Sequence, residues 1–499
     1  MKNSKRLCAL LLSLAMVLPM AACSETTSDE TEGTKAPVSA EAGAEETTEE
    51  AGEQRLPLGV AETADFGGQD IKFLVWTLSS WQNTVRDYRD IYTESLNGEG
   101  INDAVYNRNL KLAENYKVAI SEEKMDLGQI STTVDKEISA GTNTYSVVYP
   151  RLLEAASMYQ KNYFHNLLTL DNIDLTQPWW DGNSVENLSM QGKLLAVATS
   201  INVNDKDATA ALAFNKTIAQ NNGLEDIYSL VREGKWTYDK AAELSDLCDY
   251  DANGDGTLSE EDVFGFLGKN DVMTAFWFGA GSNMVTKEDD NFIFSFGSER
   301  DISSAVKVVE FMNQPWFYNH HTAGIGDDEY RILFETGHGL LFWMRLDEVT
   351  NMRAGDADFG IIPTPKFEET QEDYYSFVSQ HTTGLMSLPI TLTGEQLTAV
   401  TTVLEAMAWE SHYTLIPEYI ESSLKTKHSR DAESADMLDI IINNRVFDPM
   451  IIYNFGGFAD TFQNLGANNN TNLASIMKSS QKVINKTIEK FVKNMTEQE

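Results

Sequence analysis

The sequence predicts an α/β fold organised around parallel strands, and three observations carry that prediction. Strand-like and helical stretches alternate between Ile71 and Tyr149, as they do where helices connect parallel strands. Hydrophobic residues make up 42% and aromatic residues 10% of the 499 positions, enough for large cores in two or three domains. After the first 22 residues, no apolar stretch approaches the ~20 residues of a membrane helix. The body is therefore expected to fold in water.

In chain order, Lys2, Lys5 and Arg6 precede an apolar run from Leu7 to Ala22, which has the charged and apolar regions of a secretory leader. Residues 1–22 are read as the signal peptide. The run ends in Met20-Ala21-Ala22-Cys23, which resembles the lipobox of bacterial lipoproteins and implies acylation of the Cys23 thiol. From Ser24 to Gln54 the chain holds ten acidic residues, one basic residue (Lys35) and no aromatic one. Such a segment cannot bury enough apolar surface to offset its ordering entropy. Residues 23–64 are thus expected to form a lipidated cysteine and a disordered acidic tether.

The folded body is expected from about Asp65. Ile71 to Trp76 is a continuous β-prone run, Val105, Leu112 and Tyr116 share a helix face, and Val118 to Ile120 is a short strand. Ile130, Val134 and Ile138 mark a second helix, followed by the strand Tyr145 to Tyr149. Lys193 to Thr199, Ala210 to Phe214, Leu340 to Trp343 and Phe359 to Ile362 read as strands. Thr237 to Cys248, Ile302 to Met312, Leu397 to Trp409 and Val483 to Met495 read as helices, the first with Thr237 as its N-cap. In parallel α/β sheets ligands bind beyond the carboxyl ends of the strands, which points to Trp76, Trp81, Tyr149 and Arg151.

Charge and composition exclude several classes. Lys+Arg total 38 against Asp+Glu 76, a net charge of -38, so a nucleic-acid partner is not expected. Of the three cysteines, Cys8 leaves with the leader and Cys248 falls on an apolar helix face, too few for a disulfide scaffold. None of the seven histidines forms H-E-x-x-H, and the chain lacks a G-x-S-x-G elbow, a P-loop and G-x-G-x-x-G. No enzyme is expected.

One metal motif stands out. Residues 251–262 read DANGDGTLSEED, matching the EF-hand pattern of oxygen ligands at positions 1, 3, 5, 7 and 12 with glycine at 6. The expected calcium ligands are Asp251, Asn253, Asp255, Thr257 through its carbonyl, and Asp262, which replaces the usual glutamate. The following stretch is strand-like, so a structural ion is expected rather than a sensor.

Several strings, in order, resemble the extracellular solute-binding proteins of carbohydrate-type (family 1) ABC importers: Ala213-Phe214-Asn215-Lys216, Gly234-Lys235-Trp236-Thr237-Tyr238, Phe334-Glu335-Thr336-Gly337, Phe359-Gly360-Ile361-Ile362-Pro363-Thr364-Pro365-Lys366 and Met437-Leu438-Asp439. The resemblance spans Ile71 to Met495. It implies a two-lobed, periplasmic-binding-protein-like (class II) α/β fold with hinge crossings and a ligand cleft between the lobes. Lobe one would hold residues 65–201 and 382–444, and lobe two 202–381 with C-terminal helices in 445–499. The resemblance adds Asn202 and Asp205 at the first crossing, Trp343 and Arg345 after a strand, and Asp271, Tyr453 and Phe455 as ligand contacts. It implies a monomeric receptor for a small-molecule solute, expected to be a carbohydrate, working with ABC permease subunits and held to the outer membrane face by its lipid. A sugar-binding adhesin or a sensor-associated binding protein is the alternative reading, and a lipid-anchored glycosidase or lyase a further one.

Overall fold

The computed structural model describes residues 55–77, 90–126, 128–256, 258–352, 355, 357–424 and 432–496. The leader, Cys23, the acidic segment up to residue 54, Trp81 and Thr257 lie outside the described residues. Arg55–Glu499 forms one compact unit.

Its first sheet has the order β2-β1-β3, with β1 Gln69–Trp76, β2 Val118–Met125 and β3 Val147–Tyr149 all parallel. The apolar run of β1 is buried on both sides, as a central parallel strand requires. The helices Gly100–Tyr116 and Gln129–Ala140 supply the two crossovers. A returning segment extends this layer through antiparallel bridges Arg151 to Gly384, Val148 to Ser387 and Phe164 to Pro389. The stretch Lys193 to Thr199, expected as a strand, contributes only isolated bridges such as Val197 to Met386.

The second sheet is mixed. It contains β4 Ala210–Asn215 and β5 Phe264–Gly268; the hairpin β6 Val285–Glu288 and β7 Asn291–Phe294 stands apart; β8 Phe317–Asn319, β9 Gly339–Arg345 and β10 Phe359–Ile362 complete it. The order is β10-β4-β9-β5-β8, with β9, β5 and β8 mutually parallel and β4 antiparallel to both neighbours. Thr237 caps the helix Tyr238–Asp246 by accepting from the Lys240 amide, as its sequence signals.

Residues 202–209 cross from the first layer to the second, and Thr209 bridges Val378 on the way back. The chain leaves the first layer again after helix Gly394–Tyr413, and its last return pairs with the second crossing through two short parallel strands, β11 Ser376–Phe377 and β12 Arg445–Val446. The C-terminal part departs from the expected division. Helix Ala432–Asn443, expected in lobe one, packs Leu438 and Ile441 against Phe359 and Ile361 of β10. Helix Pro449–Tyr453, expected in lobe two, packs on Leu152–Gln160 of lobe one. An apolar helix face shows that it is covered, but not by which sheet.

The N-terminal end of the described body is a strap along lobe one. Trp409 Nε1 donates to the Leu56 carbonyl at 2.8 Å, the Leu56 amide donates to Tyr413 Oη at 2.8 Å, and Arg55 pairs with Glu410 at 3.2 Å. Farther along, the amides of Ala64, Phe66 and Gly68 donate to carbonyls of Asn115, Tyr116 and Lys117.

Candidate functional site

On lobe one, the carboxyl ends of β1 and β3 bring Trp76 and Arg151 together, with the guanidinium 5.9 Å from the indole centre; Trp76, expected as a ligand contact, is buried, so its ring supports the wall instead of facing a ligand. Arg151 Nε donates to the His381 carbonyl at 2.7 Å, tying the second crossing to this wall. Gly384 passes so close that a Cβ there would stand 2.7 Å from the Pro150 carbonyl and 3.1 Å from the Trp76 ring. Only glycine lets this segment lie against the strand ends. Tyr149 does not line the wall: it is buried behind it, stacked on Phe73 with centroids 6.3 Å apart and its hydroxyl 3.4 Å from Thr199 Oγ1. Burial raises its phenol above the ordinary range.

On lobe two, the carboxyl ends of the three parallel strands supply the facing groups. Lys269, Asn270 and Asp271 follow β5, His320 and His321 follow β8, and Arg345 ends β9 just before Asp347 and Glu348. The Asn270 amide donates to His321 Nδ1 at 3.1 Å, and Asn319 Nδ2 donates to Asn270 Oδ1 at 3.0 Å. Because Nδ1 of His321 accepts the hydrogen bond, the neutral, Nε2-protonated form of that ring is favoured. His320 sits 4.1 Å from His321 and 4.6 Å from Tyr330 between centroids. Arg345 Nε lies 3.4 Å from Asp347 and Nη2 3.9 Å from Glu348.

Carboxylates outnumber cations in this wall: Lys269 and Arg345 stand among Asp271, Asp327, Asp347 and Glu348. Lys269 contacts Asp327 and stands 4.9 Å above the Tyr330 ring. Burial would raise the Asp327 carboxyl, but Lys269 overcomes it and holds the group at about 2. Burial, then Lys269, pushes His320 down to about 4. Burial also lowers His321, and among the charges acting on it are Asp271 of its own lobe and His381 of the crossing. Asp271, 8% exposed, makes no hydrogen bond to any described residue.

Other expected ligand residues are placed elsewhere. Trp343 is wholly buried in β9, so its ring offers no face to a ligand. Tyr453 and Phe455 belong to an aromatic cluster, 4.4 and 5.5 Å from the Phe491 ring. Asn202 is buried on the first crossing. Asp205, 1% exposed, lies 3.3 Å from Lys206 Nζ and 3.4 Å from Arg445 Nη2, and Arg445 also contacts Asp181. This is an ion cluster inside the crossings, not a cleft lining. Asn204, beside it, clasps the second crossing: Nδ2 donates to the Thr382 carbonyl and Oδ1 accepts from the Gly384 amide, both at 2.9 Å.

The acidic loop is closed by reciprocal bonds between Tyr250 and Val263. Asp251 Oδ1 accepts from Gly254 at 2.6 Å and Oδ2 from Gly256 at 2.7 Å; Asp262 accepts from Ala252 at 2.9 Å and Ser259 at 2.7 Å. Gly256, at the sixth position, has φ 83°, which an L side chain rarely adopts. Asn253 Oδ1 accepts from the Asp255 amide. Among the described residues no three His, Cys, Asp or Glu side chains converge as a metal set. Cys248 is buried, and burial pushes its thiol up to about 11.

Two α/β lobes joined by crossing segments match many solved structures. A Listeria monocytogenes ABC substrate-binding protein, Lmo0181, solved with cycloalternan, superposes with TM-score 0.52 at 9% identity over 86% of this chain and 99% of its own. The fold is that of the ABC-importer solute-binding proteins. The GacH receptor of Streptomyces glaucescens, solved unliganded and with acarbose, shares this solute-binding fold with TM-score 0.51 and 12% identity, covering 86% and 98% of the two chains. A family 1 extracellular solute-binding protein from Bifidobacterium longum subsp. infantis aligns at TM-score 0.50 and 12% identity over 84% and 99%. No protein-family model and no curated protein matches the sequence.

Proposed function

We propose that this chain is a lipid-anchored extracellular receptor that captures a carbohydrate, most simply an oligosaccharide, and presents its closed form to an ABC permease. The observation that carries the proposal is the gathering of polar groups at the strand ends of both lobes, with Arg151 bound to the His381 carbonyl of the crossing on one side and Lys269, Asn270, Asp271, His321 and Arg345 on the other. Such walls suit hydroxyl groups, because fixed amides, carboxylates and guanidinium groups can each accept or donate to them. The structural neighbours include proteins solved with cycloalternan and with acarbose, which supports a sugar ligand. Hinge closure needs a ligand that touches both walls, and Arg151 with Asp271 are the groups proposed to do so. The leader and the lipobox-like Met20 to Cys23 support anchoring at the outer face of the membrane. The chain is proposed to act as a monomer, without catalysis.

Calcium is proposed as a structural ion of the loop 251–262, where Asp251, Asn253, Asp255, the Thr257 carbonyl and Asp262 supply hard oxygen donors.

The test is thermal unfolding of the chain from Cys23 onward, in calcium, against mono- and oligosaccharides. A ligand at ~100 times its Kd adds ~2.7 kcal/mol to stability. A raised midpoint with one sugar class is expected. A midpoint indifferent to sugars but raised by peptides or other solutes would overturn the carbohydrate assignment.

A further inference from the structure

Overall the chain has two acidic residues for each basic one, 76 against 38, yet its last helix reverses that balance. Leu473–Thr496 contains five lysines, Lys478, Lys482, Lys486, Lys490 and Lys493, and one acid, Glu489. At about 100° per residue the five lysines fall within an arc of about 120°, and Ile484, Ile488, Phe491 and Met495 fall on the opposite side. The structure uses both faces accordingly. Those four apolar residues are buried, while all five lysines are exposed. Phe491 packs on Phe292 and Tyr453, and the Met495 carbonyl accepts from Lys193 at 2.6 Å, so the helix is fixed to the body. Lys478, Lys482, Lys486 and Lys490 make no ion pair with any described residue. Val483, 54% exposed, lies at the edge of the stripe.

We infer that this lysine face is a docking surface for an anionic lipid bilayer. The apolar side is committed to the core, so the helix does not insert; it lays a row of ammonium groups about 22 Å long against phosphate headgroups. A chain of net charge -38 is otherwise repelled by such a surface, and this face fixes which side turns toward it. The inference rests on the anchored-receptor reading only for the nearness of a membrane: the 31 residues from Ser24 to Gln54 reach at most about 110 Å when extended.

The experiment uses the chain from Cys23 onward, made without acylation, so that lipid anchoring cannot supply the binding. Co-sedimentation is measured with vesicles of phosphatidylcholine alone and with 30 mol% phosphatidylglycerol, for wild type and for the K478Q/K482Q/K486Q/K490Q variant. Expected are binding to the anionic vesicles only, at least about tenfold weakening in the variant, and loss in 0.5 M salt, where screening shortens to a few ångström. An unchanged thermal midpoint shows that the variant is folded. Equal binding to both vesicles, equal binding by the variant, or no binding to anionic vesicles overturns the inference. Binding to long-chain polyphosphate without binding to vesicles also overturns it, in favour of a soluble polyanion. Release of the acylated protein from membranes by Cys23→Ala tests the anchor separately.

Discussion

His320 is held neutral by its surroundings, and that neutrality contributes to stability. Its imidazole, 2% exposed, donates through Nδ1 to the Ile325 carbonyl at 3.2 Å and lies near Lys269. A pKa of about 4 in the folded state against ~6.5 unfolded means that the unfolded chain binds the extra proton first. The contribution is therefore complete above pH 6.5 and is lost as pH falls toward 4, by at most about 3 kcal/mol. Unfolding free energy measured across that range is expected to fall less steeply in His320→Gln; an identical slope would refute the assignment. At this scale, what the sequence revealed was where strands end. The strand-end rule located Trp76 and Arg151, which do stand at the carboxyl ends of β1 and β3. His320, His321, His381 and Asn204 owe their place to contacts between segments far apart in sequence, which no local pattern encodes. Trp343, Tyr453 and Phe455 show the complementary difficulty: an aromatic at a strand end reads alike whether its face is open or packed.

Elements with their own local signals were legible. The strand Phe359–Ile362 has the bounds that its apolar run suggests, and the capped helix at Thr237 begins as read. The helix at the C-terminus begins ten residues before Val483, because the polar stretch Ser479 to Lys482 separates its apolar first turn from the later apolar stripe. Lys193 to Thr199 looks like a strand, yet it meets only single bridging partners, since partnership is decided by the tertiary frame. The loop 251–262 belongs to this scale too. Without an ion, its carboxylates are occupied by the loop's own amides, which hold Asp262 below the ordinary carboxylate range although burial opposes them. Calcium is expected to raise the thermal midpoint of the wild type, and the Asp251→Ala/Asp255→Ala pair to abolish that rise. A midpoint unmoved by calcium and chelator alike would refute the ion.

At the scale of the whole molecule, the two lobes were legible through the order of local strings, but the hinge chemistry was not. Arg445 lies more than 200 residues beyond Asp181, Asp205 and Lys206, and the four meet with little contact with water. Removing one partner of a buried ion cluster leaves the others uncompensated and costs about 3–5 kcal/mol. Arg445→Met is thus expected to lower the denaturant midpoint by a corresponding amount, with little effect on the strand-end walls. A change below about 1 kcal/mol would show the cluster to be dispensable.

The strap along lobe one has a mechanical consequence. Any load arriving through the chain before Arg55 is taken up by Glu410, Trp409 and Tyr413 on one rigid helix, Gly394–Tyr413, which packs on Gly100–Tyr116. Tension at the N-terminal end is thus delivered first to lobe one, through the helix that carries Trp409.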